Sequence, residues 1–410
     1  MRALAKFLLL AAAFAMPWEF SFELEEPLGP VARIAVLLLL LAATLAVLQA
    51  RFIRRPGPLQ WLVLVLFLWF SASCFWTIDQ SASVEMLRAY FQEMIMIWLV
   101  WELADSPRDL RMLFRAYVAG CWELALITIA SFGTPEAAAG GQIRFFAAGL
   151  DPNDTARFLD FGFPLAALLA DGESRWPSRI LAWGYFPLGL LAVVLTASRG
   201  GFIAATIALA GSIALLLAHR PRRLAVVSLA LPLFAAAIFA VVPFETLRRI
   251  NTISEQLRGG NLNDRVNIWH QGWQAFVAAP VFGSGAGSFV TAAGLAPEDT
   301  AHNTALSIAV GGGLVALTLG LAVLALVLSA VVRLRGPLRL AFATVFAVWI
   351  VSSLTATLEE NRITWLLFGL IAAAARLAAG QPQYLAAEFP SNHAAAPPAP
   401  RSRPMEAPSS

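Results

Sequence analysis

The heptapeptide TASRGGF (196–202) sets a lone arginine, Arg199, between two apolar runs with almost no loop to part them. A guanidinium beside hydrocarbon is costly to hold, and its planar fork matches a pair of phosphate oxygens. Gly200 and Gly201 would let the backbone turn sharply and let a ligand come close. The competing reading is an arginine whose stem lies along the bilayer while its head reaches lipid headgroups. Arg265 opens a second stretch within NLNDRVNIWHQGWQAFVAAPVFGSGAGSF (261–289). Val266, Trp269, Trp273 and Phe276 recur there at helical spacing, as in an amphipathic helix lying along a membrane interface. Asp264 and Asn263 are its candidate caps, and Pro280 ends it. Arg265 suits either phosphate binding or a surface ion pair with Asp264 or Glu255. GSGAGSF reads as a tight loop, and with no strand before it the run is not a nucleotide fingerprint.

A third stretch, APEDTAHNTALSIAVGGGL (296–314), offers proton chemistry. With Asp299 or Thr300 as cap, a helix beginning near Ala301 carries His302 and Asn303 in its first turn. The helix dipole there disfavours an imidazolium, and a neutral imidazole is free to accept a proton. The same helix end attracts anions; the plainer alternative is a hydrogen-bonded histidine with no further role. Gly311, Gly312 and Gly313 suit a bend or close helix packing. A fourth stretch, GQIRFFAAGLDPNDTARF (141–158), adds Arg144. Its Asp151 and Asp154 sit in a capping turn rather than a metal pair, so no metal centre is expected. His219, His270 and His393 read as solvated bystanders. Cys74 and Cys121 lie in or beside apolar runs and form neither a disulfide framework nor a ligand pair.

Positioning these groups is the task of a membrane bundle. Hydrophobic residues make up 59% of the 410-residue chain and charged residues 13%, against about 45–50% and about 25% in soluble domains. The net charge of +3 is spread between apolar spans rather than over one solvated face, which argues against nucleic acid. Runs of the required ~20 residues fall near 3–20, 31–50, 59–76, 86–103, 111–132, 153–171, 180–197, 201–218, 224–243, 302–330, 340–357 and 363–379. The first run also has signal-peptide features (Arg2, Lys6 and a small-x-small site), but it lengthens past the cut, which favours a span.

Arginine bias sets the orientation. Arg51, Arg54, Arg55, Arg108, Arg111, Arg175, Arg179, Arg220, Arg222, Arg223, Arg333, Arg335 and Arg339 alternate consistently with the acidic segments ELEE (23–26) and TIDQSASVE (77–85). Twelve spans with both termini cytoplasmic are expected. Nine helices occupy 1–243, a large external loop 244–301, three helices 302–380, and a Pro/Ala/Ser-rich disordered tail 381–410. Arg144, Arg199, Arg248, Arg249, Arg258 and Arg265 break the bias and gather outside, around that one long loop.

TASRGG opening a span, R…W…P…G.G.GSF in the long loop, and HN at the head of the next span with glycines after it together resemble the O-antigen ligase family of membrane glycosyltransferases. R…G.DPN at 144–153 is similar to an upstream element of that family. The resemblance runs over about residues 140 to 315, and its specificity lies in the order and spacing of motifs that are weak singly. It implies an all-α, GT-C-like integral membrane protein of the bacterial inner membrane, with an active site facing the periplasm. It implies a polyprenyl-diphosphate-linked glycan donor, and lipid A–core or a growing polysaccharide as acceptor. Transfer would proceed with inversion, without metal or other cofactor. Arg199 and Arg265 would hold the donor diphosphate, and His302 would orient or deprotonate the acceptor hydroxyl. Arg144, Arg248, Arg249 and Asn303 would support substrate binding. The length of 410 residues and the lack of an appended periplasmic domain favour a ligase or polymerase over the usually longer protein-modifying members, and of those two ligation to lipid A–core is preferred. A lipid-linked glycan transporter or flippase is the alternative from another class. It fits less well, since the unusual charges collect on one face and no internal repeat is seen.

Overall fold

The computed structural model describes residues 1–24, 29–132, 144–172, 175–219, 232–234, 236–238, 240–260, 262–297 and 299–389. The first half is built of α1 (Arg2–Ala15), α2 (Val31–Ala50), α3 (Pro58–Ala72), α4 (Gln80–Leu103), α5 (Pro107–Ala130), α6 (Pro152–Gly172), α7 (Trp176–Leu195) and α8 (Arg199–His219). Four short helices follow in the long loop: α9 (Phe244–Asn251), α10 (Ile253–Gly259), α11 (Arg265–Ala278) and α12 (Phe289–Ala293). The chain closes with α13 (Thr304–Arg333), α14 (Gly336–Ser353), α15 (Arg362–Gly380) and α16 (Pro382–Glu388). A two-residue antiparallel pair, β1 (Glu23–Leu24) with β2 (Gly29–Pro30), is the sole departure from helix among the described residues that pair as strands.

Eight helices are long and apolar enough to cross a bilayer: α2, α3, α5, α7, α8, α13, α14 and α15. The chain is an all-helical, multi-pass membrane protein. Helices also stand at three further expected spans, and each falls short for a visible reason. α1 has 14 residues. α4 carries Glu85, Arg88, Glu93 and Glu102, and α6 carries Asp154, Arg157, Asp160 and Asp171. The expected ninth span, near 224–243, lies largely outside the described residues.

Helix α6 turns Arg157 and Asp160 into the bundle rather than toward lipid. It packs against α5, α7, α8 and α14, and most of its length is buried, including Phe158, Leu159, Phe161 and Phe163. Outer helices instead present apolar side chains outward, as Leu37, Leu41 and Leu48 do on α2; in a membrane that surface faces lipid. Salt bridges tie one end of the bundle. Arg2, Lys6 and Arg54 meet Asp105 at 2.9, 3.0 and 2.6 Å, and Lys6 also meets Asp109 at 2.8 Å. Helix α1 is thereby fastened to the α4–α5 turn. That turn is itself fixed by a capping box between Ser106 and Asp109, with Pro107 at the first helical position.

Composition predicts a disordered tail over 381–410, yet residues 382–388 form α16. Leu385 and Phe389 are buried, Arg111 pairs with Glu388, and the Arg111 guanidinium lies 4.9 Å from the Phe389 ring centre. The rest of that tail, 390–410, is outside the described residues.

The glycine-rich loop 281–288 and the glycine triplet of α13 form one unit. At Gly313 the helix breaks, with φ 67° and ψ −165°, a conformation essentially reserved for glycine. The break frees carbonyls that the loop uses: Ser284 N–H donates to Val310 O at 2.8 Å and Gly285 N–H to Gly311 O at 2.9 Å. Loop amides also reach α3 and α4, with Ala286 N–H on Ser73 Oγ (2.9 Å) and Ser83 Oγ donating to Ala286 O (2.6 Å). The triplet is thus a bend that doubles as a docking edge. A Cβ at Gly313 would meet Val281 O at 2.1 Å, whereas one at Gly320 would meet nothing nearer than 3.6 Å. Gly313→Ala should therefore cost at least about 1–3 kcal/mol from backbone strain alone. Gly320→Ala, on the same helix, should be neutral or gain up to ~1 kcal/mol. Thermal unfolding of the two variants in detergent checks this, and equal responses would contradict it.

Candidate functional site

The turn between α7 and α8 is the hub. Helix α7 ends at Leu195, and its terminal carbonyls need partners from elsewhere. Phe145 N–H donates to Leu195 O at 3.0 Å, Arg144 Nε to Thr196 O at 3.0 Å, and Arg249 Nε to Ala197 O at 3.2 Å. The C-terminal end of a helix carries partial negative charge, so two guanidinium groups are well placed there. Arg144 and Arg249, expected as supporting residues, are both brought to this turn.

The reversal is not made by the glycines. Ala197 takes the positive φ, 51°, and Ser198 caps α8 by accepting from Gly201 N–H at 3.1 Å. Gly201 serves packing instead: a Cβ there would lie 2.3 Å from Ala156 Cβ on α6. Ser198 Oγ also donates to Asn153 Oδ1 at 2.8 Å, and Arg144 Nη2 donates to the same oxygen at 3.2 Å. Asn153 thereby joins the start of α6 to the hub. Asp151 is a cap, accepting from Asn153 N–H at 2.6 Å, and Asp154 pairs with Arg157.

Arg199 is the first residue of α8. Its Nη2 donates to Asn263 Oδ1 at 2.6 Å and its Nη1 to Thr252 Oγ1 at 3.3 Å, which ties it to the long loop. Of the two expected caps, Asp264 takes the N-cap position of α11, though without a side-chain cap bond. Leu262, Asn263 and Asp264 instead run through three consecutive positive φ values, 52°, 59° and 65°. Such strain in non-glycine residues is stored where the surroundings over-determine it. It delivers Arg265 as the first residue of α11. The buried face of that helix is Ile268, Gly272 and Ala275, against α12 and α13, while Val266 and Trp273 are exposed.

Trp269, one turn after Arg265, donates to Ala301 O at 3.1 Å and so sets α11 beside His302. His302 precedes the helix rather than starting it. Asn303 is the N-cap of α13, accepting from Leu306 N–H at 2.9 Å, and Asp299 and Thr300 are not. His302 has φ 45°, and its Nδ1 lies 3.2 Å from Thr300 Oγ1. Its proton affinity is lowered by burial first, and then by the Arg265 charge. The expected neutral imidazole thus has a different cause from the helix dipole. Asn303 is committed to structure: besides capping, its amide donates to Leu354 O at 3.4 Å.

Arg157 went unnoticed because it lies inside an expected span. It is 7% exposed, and its charge acts on both Arg265 and His302. The signal was available in GLDPNDTARF, where Asp154 stands three residues ahead of it. Arg248 is exposed and makes no hydrogen bond or ion pair among the described residues. His270 is exposed beside Gln274 at 2.9 Å, while the side chain of His219 and all of His393 are outside the described residues.

The result is a chain of guanidinium groups that act on one another, Arg144, Arg249, Arg199, Arg265 and Arg157, of which Arg265 and Arg157 act on His302, with Asp151 and Asp154 as the nearby acids. The Arg144 guanidinium is held down to about 10 by burial and then by Arg249, so it stays charged at neutral pH. Burial also lowers Arg249 and Arg265. Among the described residues, no three His, Cys, Asp or Glu side chains converge as metal ligands. The arrangement is suited to a polyanion beside a neutral base. His302 should accordingly titrate below its ordinary value of 6.5. In Arg265→Gln the midpoint should move up, because a repelling charge is gone. NMR of histidine-labelled protein reads both, and an unmoved midpoint would remove Arg265 from His302's surroundings.

Residues 184–321, roughly a third of the chain, match the family model described as O-antigen ligase. The match holds Arg199, Arg248, Arg249, Arg265, His302 and Asn303, whereas Arg144 and Arg157 precede it. No curated protein matches the chain.

Proposed function

We propose that the chain is a periplasm-facing glycosyltransferase that moves a glycan from a polyprenyl-diphosphate-linked donor to an acceptor hydroxyl, and that the reaction is O-antigen ligation to lipid A–core. The observation that carries this reading is the position of Arg199 and Arg265. Each is the first residue of its helix, where the macrodipole disfavours a cation by about 0.3–1 kcal/mol. Two such residues near a neutral-leaning histidine make sense when a dianionic group binds between them. Helix N-termini and guanidinium forks then act on the same phosphate oxygens.

The chemistry follows from charge. The acceptor oxygen attacks the anomeric carbon as the bond from that carbon to the phosphate oxygen breaks, with inversion. His302 takes the hydroxyl proton. Arg199 and Arg265 stabilise the polyprenyl diphosphate as it leaves, with Arg157, Arg144 and Arg249 adding to the field. Electrostatic stabilisation of the leaving group is then a main catalytic contribution. The membrane bundle suits the donor, whose prenyl chain needs an apolar environment while its head stays at the surface. Twelve spans in a bacterial inner membrane, with both termini cytoplasmic, would put the cluster outside.

Arg199→Ala should lower transfer by about 10²–10³-fold at unchanged protein level. Arg199→Lys should restore little, since a point charge lacks the fork. Near-normal turnover in Arg199→Ala would remove the diphosphate-holding role. The glycan profile of a deletion strain, complemented with wild type or His302→Ala, separates the readings. Long polymer held on polyprenyl diphosphate with bare lipid A–core marks a ligase. Single repeat units on the acceptor with long chains missing mark a polymerase. Failure of donor to reach the periplasm would mark a flippase, and an unchanged profile would overturn the substrate class.

A further inference from the structure

At the far end of the bundle, ~45 Å of helical rise along α13 from His302, lies a cavity of about 930 Å³. It is walled by the start of α3, the end of α13, the start of α14, the end of α15 and by α16. We infer that this cavity binds an anionic phospholipid, with its phosphate at Arg333 and Arg335 and its acyl chains against the apolar wall.

Three independent features point to an anion. Arg333 and Arg335 line the cavity and are exposed, and they make no hydrogen bond or ion pair among the described residues. A third guanidinium, Arg376, is fixed over the Trp101 ring, 4.7 Å from its centre. No carboxylate lines the cavity among the described residues. Second, Gln60 is fully buried and lines the same space, yet its Nε2 has no partner, while its Oε1 accepts from Gly57 N–H at 3.0 Å. That leaves a buried amide donor without an acceptor, a costly arrangement unless a ligand supplies one. Third, α3 and α14 both begin at the cavity, and α14 has no side-chain cap. Their first-turn N–H groups add to the positive field.

Size and lining narrow the anion to an amphiphile. A free phosphate would fill only a small part of this volume. Leu326, Ala330, Leu385 and Phe389 supply an apolar wall that an inorganic ion would leave unused. A lipid with a net-negative head and two chains fits both halves. Helix α16, pinned through Arg111 to Glu388 and Phe389, closes one side. The site is separate from the arginine cluster, so it stands or falls independently of the transfer reaction.

Native mass spectrometry of the full-length protein in detergent tests this, with phosphatidylglycerol and phosphatidylcholine as competing lipids. Phosphatidylglycerol should bind preferentially. Arg333→Gln with Arg335→Gln should weaken it about ten- to thirtyfold, taking about 1 kcal/mol per arginine. Arg339→Gln, on α14 but outside the cavity, should leave it unchanged. Gln60→Glu keeps an oxygen for Gly57 N–H while placing a carboxylate in the cavity. It too should weaken phosphatidylglycerol but not phosphatidylcholine, and it carries the test if the double variant fails to fold. Equal binding of the two lipids, or wild-type binding by the folded variants, overturns the proposal. Thermal stabilisation by inorganic phosphate that matches phosphatidylglycerol would also overturn the lipid assignment and leave a free-anion site.

Discussion

Everything at the site depends on how like charges are made to stay together. Five guanidinium groups repel one another, and burial adds a desolvation cost to each. The structure answers with carbonyl oxygen rather than carboxylate. The unfinished end of α7 offers Thr196 O and Ala197 O to Arg144 and Arg249, and Asn153 and Asn263 give amide oxygens to Arg144 and Arg199. Neutral acceptors orient a guanidinium without cancelling its charge. Arg157 is paired with a carboxylate, that of Asp154. The field therefore remains available to an incoming anion.

A second arrangement holds the histidine against that field. The glycine loop is hydrogen-bonded through its backbone to carbonyls of the broken helix α13 and to the hydroxyls of Ser73, just after α3, and Ser83 on α4. On the other side, Thr304 Oγ1 donates to Ala356 O and accepts from Leu358 N–H, both at 2.8 Å. The segment just after His302 is thus clamped between two loops, and Trp269 holds the helix of Arg265 to Ala301. His302 and Arg265, the cation that acts on it most, are mounted on a common frame, although 37 positions separate them in sequence.

The sequence was legible where chemistry breaks a local rule. Arg199, Arg265 and His302 stood out because charge and polarity sit badly beside apolar runs, and the glycine triplet announced a bend. Details that rest on a single φ were not legible. The cap of α13 is Asn303 because His302 turns left-handed, and nothing local distinguishes that from a cap at Asp299. Gly201 looked like a turn residue, but its reason is the approach of α6, visible only in three dimensions. Helices α4 and α6 stand where spans are expected from their apolar runs, but their charged residues lower the hydropathy that a span requires. Arg157 was hidden inside the second of these runs.

The glycine loop has a bearing on how the protein is made. Its anchors on α3 and α4 lie 213 and 203 positions away in sequence, and its other edge, on α13, is synthesised only after it. The first eight helices can enter the membrane with Arg144, Arg157 and Arg199 in place before the loop is made, and the loop then meets its early anchors before its edge on α13 exists. Once the break in α13 emerges, one strand of amides joins early and late parts of the chain. Until then the chain holds Arg144, Arg157 and Arg199 without His302 beside them, so the charge cluster is assembled only after the long loop has been made.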